Sequence, residues 1–261
     1  MAIKSDSWIK RQCMVPTFVV YRYVVKGSEM VCDDGEYSWS DELTLARQAA
    51  TGGIHSFRAL TEEEKINFRP MIEPFSPTQV RTQQTLRTRG GTIDLETGID
   101  TPMPGEKIIS WGLTSMGYDV RLADTYKVFS NINNAIIDPL RMSDDCYVDR
   151  QGEFCIIPPN SYILGHTIET FDIPRDVIAV CVGKSTYARA GIAINVTPIE
   201  PGFKGQVVIE IANQTPLPAK VYAGMGIAQF LFYQSDEPCE VSYADRDGKY
   251  QNQKGITTAR V

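Results

Sequence analysis

The run GQVVIEIAN, residues 205–213, sets one carboxylate, Glu210, among Val207, Val208, Ile209, Ile211 and Ala212. Burying an unpaired carboxylate is costly, and the usual outcome is a raised pKa or a bound partner. A half-buried carboxylate with a tuned pKa can take up a proton and return it, which is what a general acid/base does. The alternation of Val208, Glu210 and Ala212 against Val207, Ile209 and Ile211 fits a strand glutamate facing solvent as well. Upstream, Lys184-Ser185-Thr186-Tyr187-Ala188-Arg189 follows the apolar run VIAVCVG. A strand ending in Gly, then hydroxyl side chains and a basic residue, suits anion binding through backbone N–H groups and side-chain donors. A Ser/Thr helix cap beside a surface arginine accounts for the same residues.

Metal chemistry finds little support. The chain has 2 histidines, His55 and His166, and 6 cysteines without a CxxC pair. No HxE or HxxxH lies near a cysteine pair, so no zinc site is expected. The scattered cysteines read as reduced thiols of a cytoplasmic protein.

The elements that must position these residues follow from pattern and punctuation. SDSWIKRQ (5–12) predicts a short helix starting at Ser5 with Trp8 as its apolar anchor. TFVVYRYVV (17–25) predicts a strand. SDELTLARQAA (40–50) predicts a helix ended by Gly52-Gly53, and LTEEEKINF (60–68) opens with a Thr-x-x-Glu capping pattern. PMIEPFSPTQVR (70–81) reads as extended or turning, and 88–107, dense in Gly, Pro and Thr, as a hairpin or exposed loop. From Ile108 onward short strands recur at roughly 10-residue intervals without intervening helices. They include YDVRL (118–122), EFCIIP (153–158), SYILGHTIE (161–169), DVIAVCVG (176–183), GIAINVT (191–197), AKVYAG (219–224) and IAQFLFYQ (227–234). That texture predicts an all-β barrel or sandwich behind a mixed α/β region.

A length of 261 residues suits one large domain, or one with a substantial insertion. The formal net charge of −6 argues against sequence-independent nucleic-acid binding, while leaving room for a small anionic ligand. No run approaches the ~18 apolar residues of a membrane span, and the first residues lack a signal-peptide core. The expected compartment is the cytoplasm.

Several motifs in order resemble the dCTP deaminase family, a branch of the dUTPase-like proteins. They are MAIKSDSWIKR, SWGLTSMGYDVR (110–121), CIIPPNSYILGHTIETFDIPR (155–175), GKSTYARAGIAINVTPIEPGFKGQVVIEIAN (183–213), YAGMGIAQFLF and DEPCEVSYADRDGKYQNQKG. The resemblance covers residues 1–13 and about 70–261, with an interruption near 83–105. It implies a mainly β, dUTPase-like distorted barrel of jelly-roll or β-clip type with short helices. Residues 14–69 then form an inserted α/β segment near the N-terminus, and 83–105 a second, smaller insertion.

The resemblance also implies an activity: hydrolysis of the 4-amino group of dCTP to dUTP and ammonia, without a catalytic metal. The dUTP would feed dUMP and dTTP synthesis. Glu210 matches the family's catalytic glutamate, Ser185 the serine that holds the water, and Arg189 the arginine that orders this network. Nucleotide contacts are implied for Lys184, Thr186, Tyr187, Ala188, Glu200, Val208, Ile209, Gln229, Tyr243, Lys249 and Gln253. Among them, Glu200 would face the sugar, Tyr243 pack on the deoxyribose, and Lys249 with Gln253 reach the triphosphate. Glu200 is also explained as a turn carboxylate before Pro201-Gly202, and Pro198 marks a shorter form of this loop. The resemblance implies that the tail closes over bound nucleotide, and in DGKYQNQKG (247–255) Asp247 and Asn252 stand where that tail has glycines, which predicts a stiffer lid. Mg²⁺ is expected only as the partner of the triphosphate, and dTTP as a candidate inhibitor. A homotrimer with intersubunit active sites is implied, with no nucleic-acid or membrane partner. Two other readings fit the motifs: a bifunctional enzyme that carries dCTP through to dUMP and diphosphate, and a non-catalytic nucleotide sensor using the insertion as its interaction surface.

Overall fold

A computed structural model describes residues 2–26, 29–32, 35–51, 54, 56–82, 85–88, 91–94, 107–132 and 136–260. The chain divides into two compact units, Met1–Asp6 with Met71–Val261, and Ser7–Pro70. The first boundary falls inside the helix Asp6–Cys13, which begins just after Ser5.

In the smaller unit, β-branched and aromatic residues give the strand Phe18–Tyr21, central in a sheet between Glu36–Ser38 and Ser56–Ala59. Its core is Val20, Leu45 and Ile54, with Phe18, Ala49 and Phe57 packed against it. Leu45 comes from the helix Glu42–Ala50, whose N-cap Asp41 accepts a hydrogen bond from the Thr44 N–H at 2.6 Å. The Thr-x-x-Glu pattern folds as a capping box. The Glu64 N–H donates to Thr61 Oγ1 at 3.2 Å, and the Thr61 N–H donates to Glu64 Oε2 at 2.9 Å. The glycine pair 52–53 and His55 lie outside the described residues.

The larger unit is mainly β, as the sequence pattern predicts. One six-stranded sheet runs Ala2–Ile3, Gly226–Gln234, Gly117–Arg121, Lys107–Thr114, Gln79–Thr82, with Val177–Gly183 on the other edge of Gly226–Gln234. The second runs Tyr147–Gln151, Thr125–Phe129, Tyr162–Asp172, Lys204–Asn213, Ile192–Asn195, with Ile72–Glu73 also pairing Tyr162–Asp172. Phe171 and Phe230, one from each sheet, meet in the core with ring centroids 4.9 Å apart. Arg121 and Glu169, both fully buried, tie the sheets together with an Nε–Oε1 bond of 2.9 Å, and the guanidinium lies over the Trp111 ring. Thr85–Thr88 and Gly91–Asp94 form a two-stranded hairpin, while 95–106 lie outside the described residues.

Candidate active site

The strand Lys204–Asn213 alternates cleanly. Val207, Ile209 and Ile211 are buried, while Val208, Glu210 and Ala212 share the half-buried face. That face is the wall of a cleft of about 440 Å³, to which Val208 and Glu210 both contribute. Glu210 therefore leaves the core without being fully exposed: it is half-buried in the cleft wall. Leu164 and Asn195 stand opposite it on the flanking strands. Burial pushes the Glu210 carboxyl above the ordinary carboxylate range. Among the described residues no cation pairs with it. Its charge is felt nearby, because after burial it is a further cause raising the Cys181 thiol, to about 12.

Tyr147, Tyr162 and Leu164, from two strands of the same sheet, continue this wall, and three further segments close the cleft. The loop after Ile192–Asn195 supplies Val196, Pro198, Glu200 and Phe203, and the C-terminal tail supplies Tyr243, Tyr250 and Gln253. Ile137, Pro139 and Met142 close a third side.

The tail is held by backbone geometry. Asp247 and Asn252, which stand where glycine was expected, adopt positive φ of 50° and 59°. Asp and Asn tolerate this left-handed region better than other side chains, so the two replacements keep the turns that glycine would make. Between them Gly248 packs under Tyr243: a Cβ there would lie 2.1 Å from the ring, which would have to move. Gln253 docks beside the Glu210 strand, donating from Nε2 to the Gln206 carbonyl at 2.9 Å. Its Oε1 is buried with no hydrogen-bond partner among the described residues. Lys249 donates to the Arg260 carbonyl at 2.9 Å, and Glu200 pairs with Arg246.

The other expected residues gather elsewhere. Lys184 reaches the buried Asp119, forming a close ion pair. Gln229 donates to the other oxygen of Asp119 at 3.1 Å and to Thr114 Oγ1 at 3.1 Å. Gln79 adds a third donor to Asp119 at 3.3 Å. Asp119 was not singled out by motif: its strand Gly117–Arg121 reads GYDVR, where Asp119 and Arg121 together make the segment look polar, yet all five residues are buried. After Lys184 comes a four-residue helix, Ser185–Ala188, with Lys184 as N-cap and no side-chain cap bond. Ser185, Thr186, Ala188 and Arg189 are exposed, and none lines the Glu210 cleft. Tyr187 turns inward, 3% exposed, with its hydroxyl unpartnered among the described residues. The Ile209 side chain is fully buried on the far face of its strand. Within one chain, then, Glu210, Glu200, Val208, Tyr243 and Gln253 share the cleft, Lys184 and Gln229 share Asp119, and Ser185 and Arg189 stand on an exposed turn. Among the described residues no three His, Cys, Asp or Glu side chains converge to hold a metal ion. No described helix is long and apolar enough to cross a membrane.

The chain is thus mainly β, with a carboxylate in the wall of a cleft of about 440 Å³. Its residues 58–235 match the dCTP deaminase-like family. Over 204 residues it is 51% identical to the dCTP deaminase of Burkholderia mallei strain SAVP1, covering 78% of this chain and 95% of that one. It is 52% identical over 191 residues to the dCTP deaminase of Paraburkholderia xenovorans strain LB400, covering 73% of this chain and 91% of the relative. The chain belongs to the dCTP deaminase-like family. Among solved structures, the 2'-deoxycytidine 5'-triphosphate deaminase of Agrobacterium tumefaciens aligns with a TM-score of 0.40 at 18% identity, over 47% of this chain and 40% of that one. The native EIAV dUTPase aligns at 0.30 and 20% identity, over 46% of this chain and 92% of that one.

Proposed function

We propose that this protein hydrolyses dCTP to dUTP and ammonia, with Glu210 as general acid/base. The observation that carries this reading is a carboxylate, pushed up by burial, in the wall of a nucleotide-sized cleft. In the proposed step Glu210 takes a proton from water as the water oxygen bonds to cytosine C4. That proton passes to ring N3; the second water proton, from the hydroxyl now on C4, then passes by way of Glu210 to the amino nitrogen as the C4–N bond breaks, leaving the C4 carbonyl and ammonia. Water and dCTP are thereby fully accounted for by dUTP and ammonia. A carboxyl held above the ordinary carboxylate range by burial is better suited to both directions of transfer than a free one.

Ser185 and Arg189 enter this step from a second copy of the chain, in a homotrimer with composite sites. Support comes from their exposure on a turn that contributes nothing to the Glu210 cleft of their own chain. Ser185 would hold the water. Arg189 would oppose the desolvation of Glu210 and keep it ionised at rest. Lys184, held by Asp119, and Thr186 lie beside it to meet phosphate, with Gln229 bound to the same carboxylate. Glu200 and Tyr243 would bound the deoxyribose, and Lys249 with Gln253 the triphosphate carrying its Mg²⁺. Lys249 must then exchange the Arg260 carbonyl for phosphate oxygen. Residues 14–69 are proposed as an insertion into the deaminase chain.

Product analysis tests this reading. Equal yields of ammonia and dUTP from dCTP, without diphosphate, are expected. Accumulating dUMP and diphosphate would establish the bifunctional enzyme instead, and tight dCTP binding without ammonia would establish a sensor.

A further inference from the structure

Tyr147 and Tyr162 both line the cleft that contains Glu210, and their hydroxyl oxygens lie 3.0 Å apart. Neither hydroxyl has another partner among the described residues. One O–H is spent between them, so the pair keeps one free O–H and unused acceptor sites. The rings are fixed by Phe129, which stacks on Tyr162 at 4.9 Å and meets Tyr147 edge-on at 6.2 Å. The hydroxyls are therefore presented at a defined point, not swung into solvent. Around them the wall is apolar: Leu164, Ile137, Pro139 and Met142.

Register places this point relative to the chemistry. Tyr162 stands opposite Ala212 and Leu164 opposite Glu210, so Tyr162 is the diagonal neighbour of Glu210 on one sheet face. Diagonal neighbours are about 7–8 Å apart, within reach of long side chains. In a cytosine, C5 is bonded to C4, so any group on C5 lies beside the carboxylate that serves C4. A short hydroxyl-bearing arm on C5 would bring its oxygen toward the phenol pair while C4 stays at Glu210.

We propose that Tyr147 and Tyr162 form a specificity subsite for a cytosine nucleotide carrying a one-carbon hydroxyl arm at C5. The inference rests on the reading that Glu210 faces C4. An arm that ends in methyl would strip water from the pair and leave it unpaired, whereas a hydroxyl replaces that water. Unsubstituted cytosine leaves the pair hydrated and is still accepted.

The experiment measures ammonia release from dCTP, 5-methyl-dCTP and 5-hydroxymethyl-dCTP by the full-length protein and its Tyr147→Phe and Tyr162→Phe variants. For the unaltered protein kcat/KM should favour hydroxymethyl over methyl by about tenfold, the worth of one well-made hydrogen bond. In each variant that ratio should fall below about threefold. A ratio of two substrates on one preparation cancels any loss of folded protein. Ammonia from dCTP with a ratio near one in the unaltered protein, or a ratio that survives both variants, overturns the subsite and leaves the deamination reading intact. No ammonia from any of the three nucleotides overturns the deamination reading, and the subsite with it.

Discussion

Glu210 carries a desolvation penalty that its neighbours on the strand do not relieve: Val208 and Ala212 share its face, and Leu164 stands opposite. The proposal assigns relief to Arg189 of a second copy, which makes a signed prediction about pH. A base must be ionised to act, so activity falls as pH drops through the Glu210 pKa. Removing the guanidinium leaves burial unopposed and raises that pKa further. Arg189→Ala should therefore move the acidic limb of the kcat/KM profile to higher pH, besides lowering its plateau; an unmoved limb would detach Arg189 from Glu210. At this scale the sequence was legible where a charge interrupts an apolar strand. Glu210 stood out that way, whereas Asp119 in GYDVR did not, because Arg121 two residues on keeps that segment from reading as apolar. The placement of Lys184 on Asp119 was not legible, because strand pairing brings together residues 65 apart in the chain.

At the scale of elements, local rules read well where one short segment decides the outcome. The capping box at Thr61 is such a case, and Thr61→Ala should cost about 1 kcal/mol by chemical denaturation. The tail shows how a backbone requirement can be met by an unexpected residue. Asn252 holds φ at 59°, so Asn252→Gly should leave nucleotide KM nearly unchanged. Asn252→Val forces a β-branched residue into the left-handed region, which costs about 1–2 kcal/mol and should raise KM by about 5- to 30-fold. Steady-state kinetics on both variants checks the pair. The strands Thr125–Phe129 and Tyr147–Gln151 were not individually named in the sequence reading. TYKVF and YVDRQ are only five residues each, the second carrying Asp149 and Arg150, and the ladder they form with each other decides their state.

For the whole molecule, the separation of Ser185 and Arg189 from the Glu210 cleft gives a test by complementation. Chains carrying Glu210→Gln and chains carrying Arg189→Ala should each be nearly inactive. When co-expressed, mixed assemblies should regain part of the activity, since some sites then combine an intact Glu210 with an intact Arg189. Failure to regain any would place both residues in a site built by one chain. The mainly β body was legible because period-2 patterning and turn residues repeat along it. How the expected site residues divide between a cleft and an exposed turn was not, since no local pattern encodes it. The central claim meets its most direct test in ammonia release from dCTP by the unaltered protein and by Glu210→Gln, with dCTP binding measured in parallel. Deamination should fall by at least a hundredfold in the variant while binding is kept. Near-normal ammonia release would remove Glu210 from the mechanism.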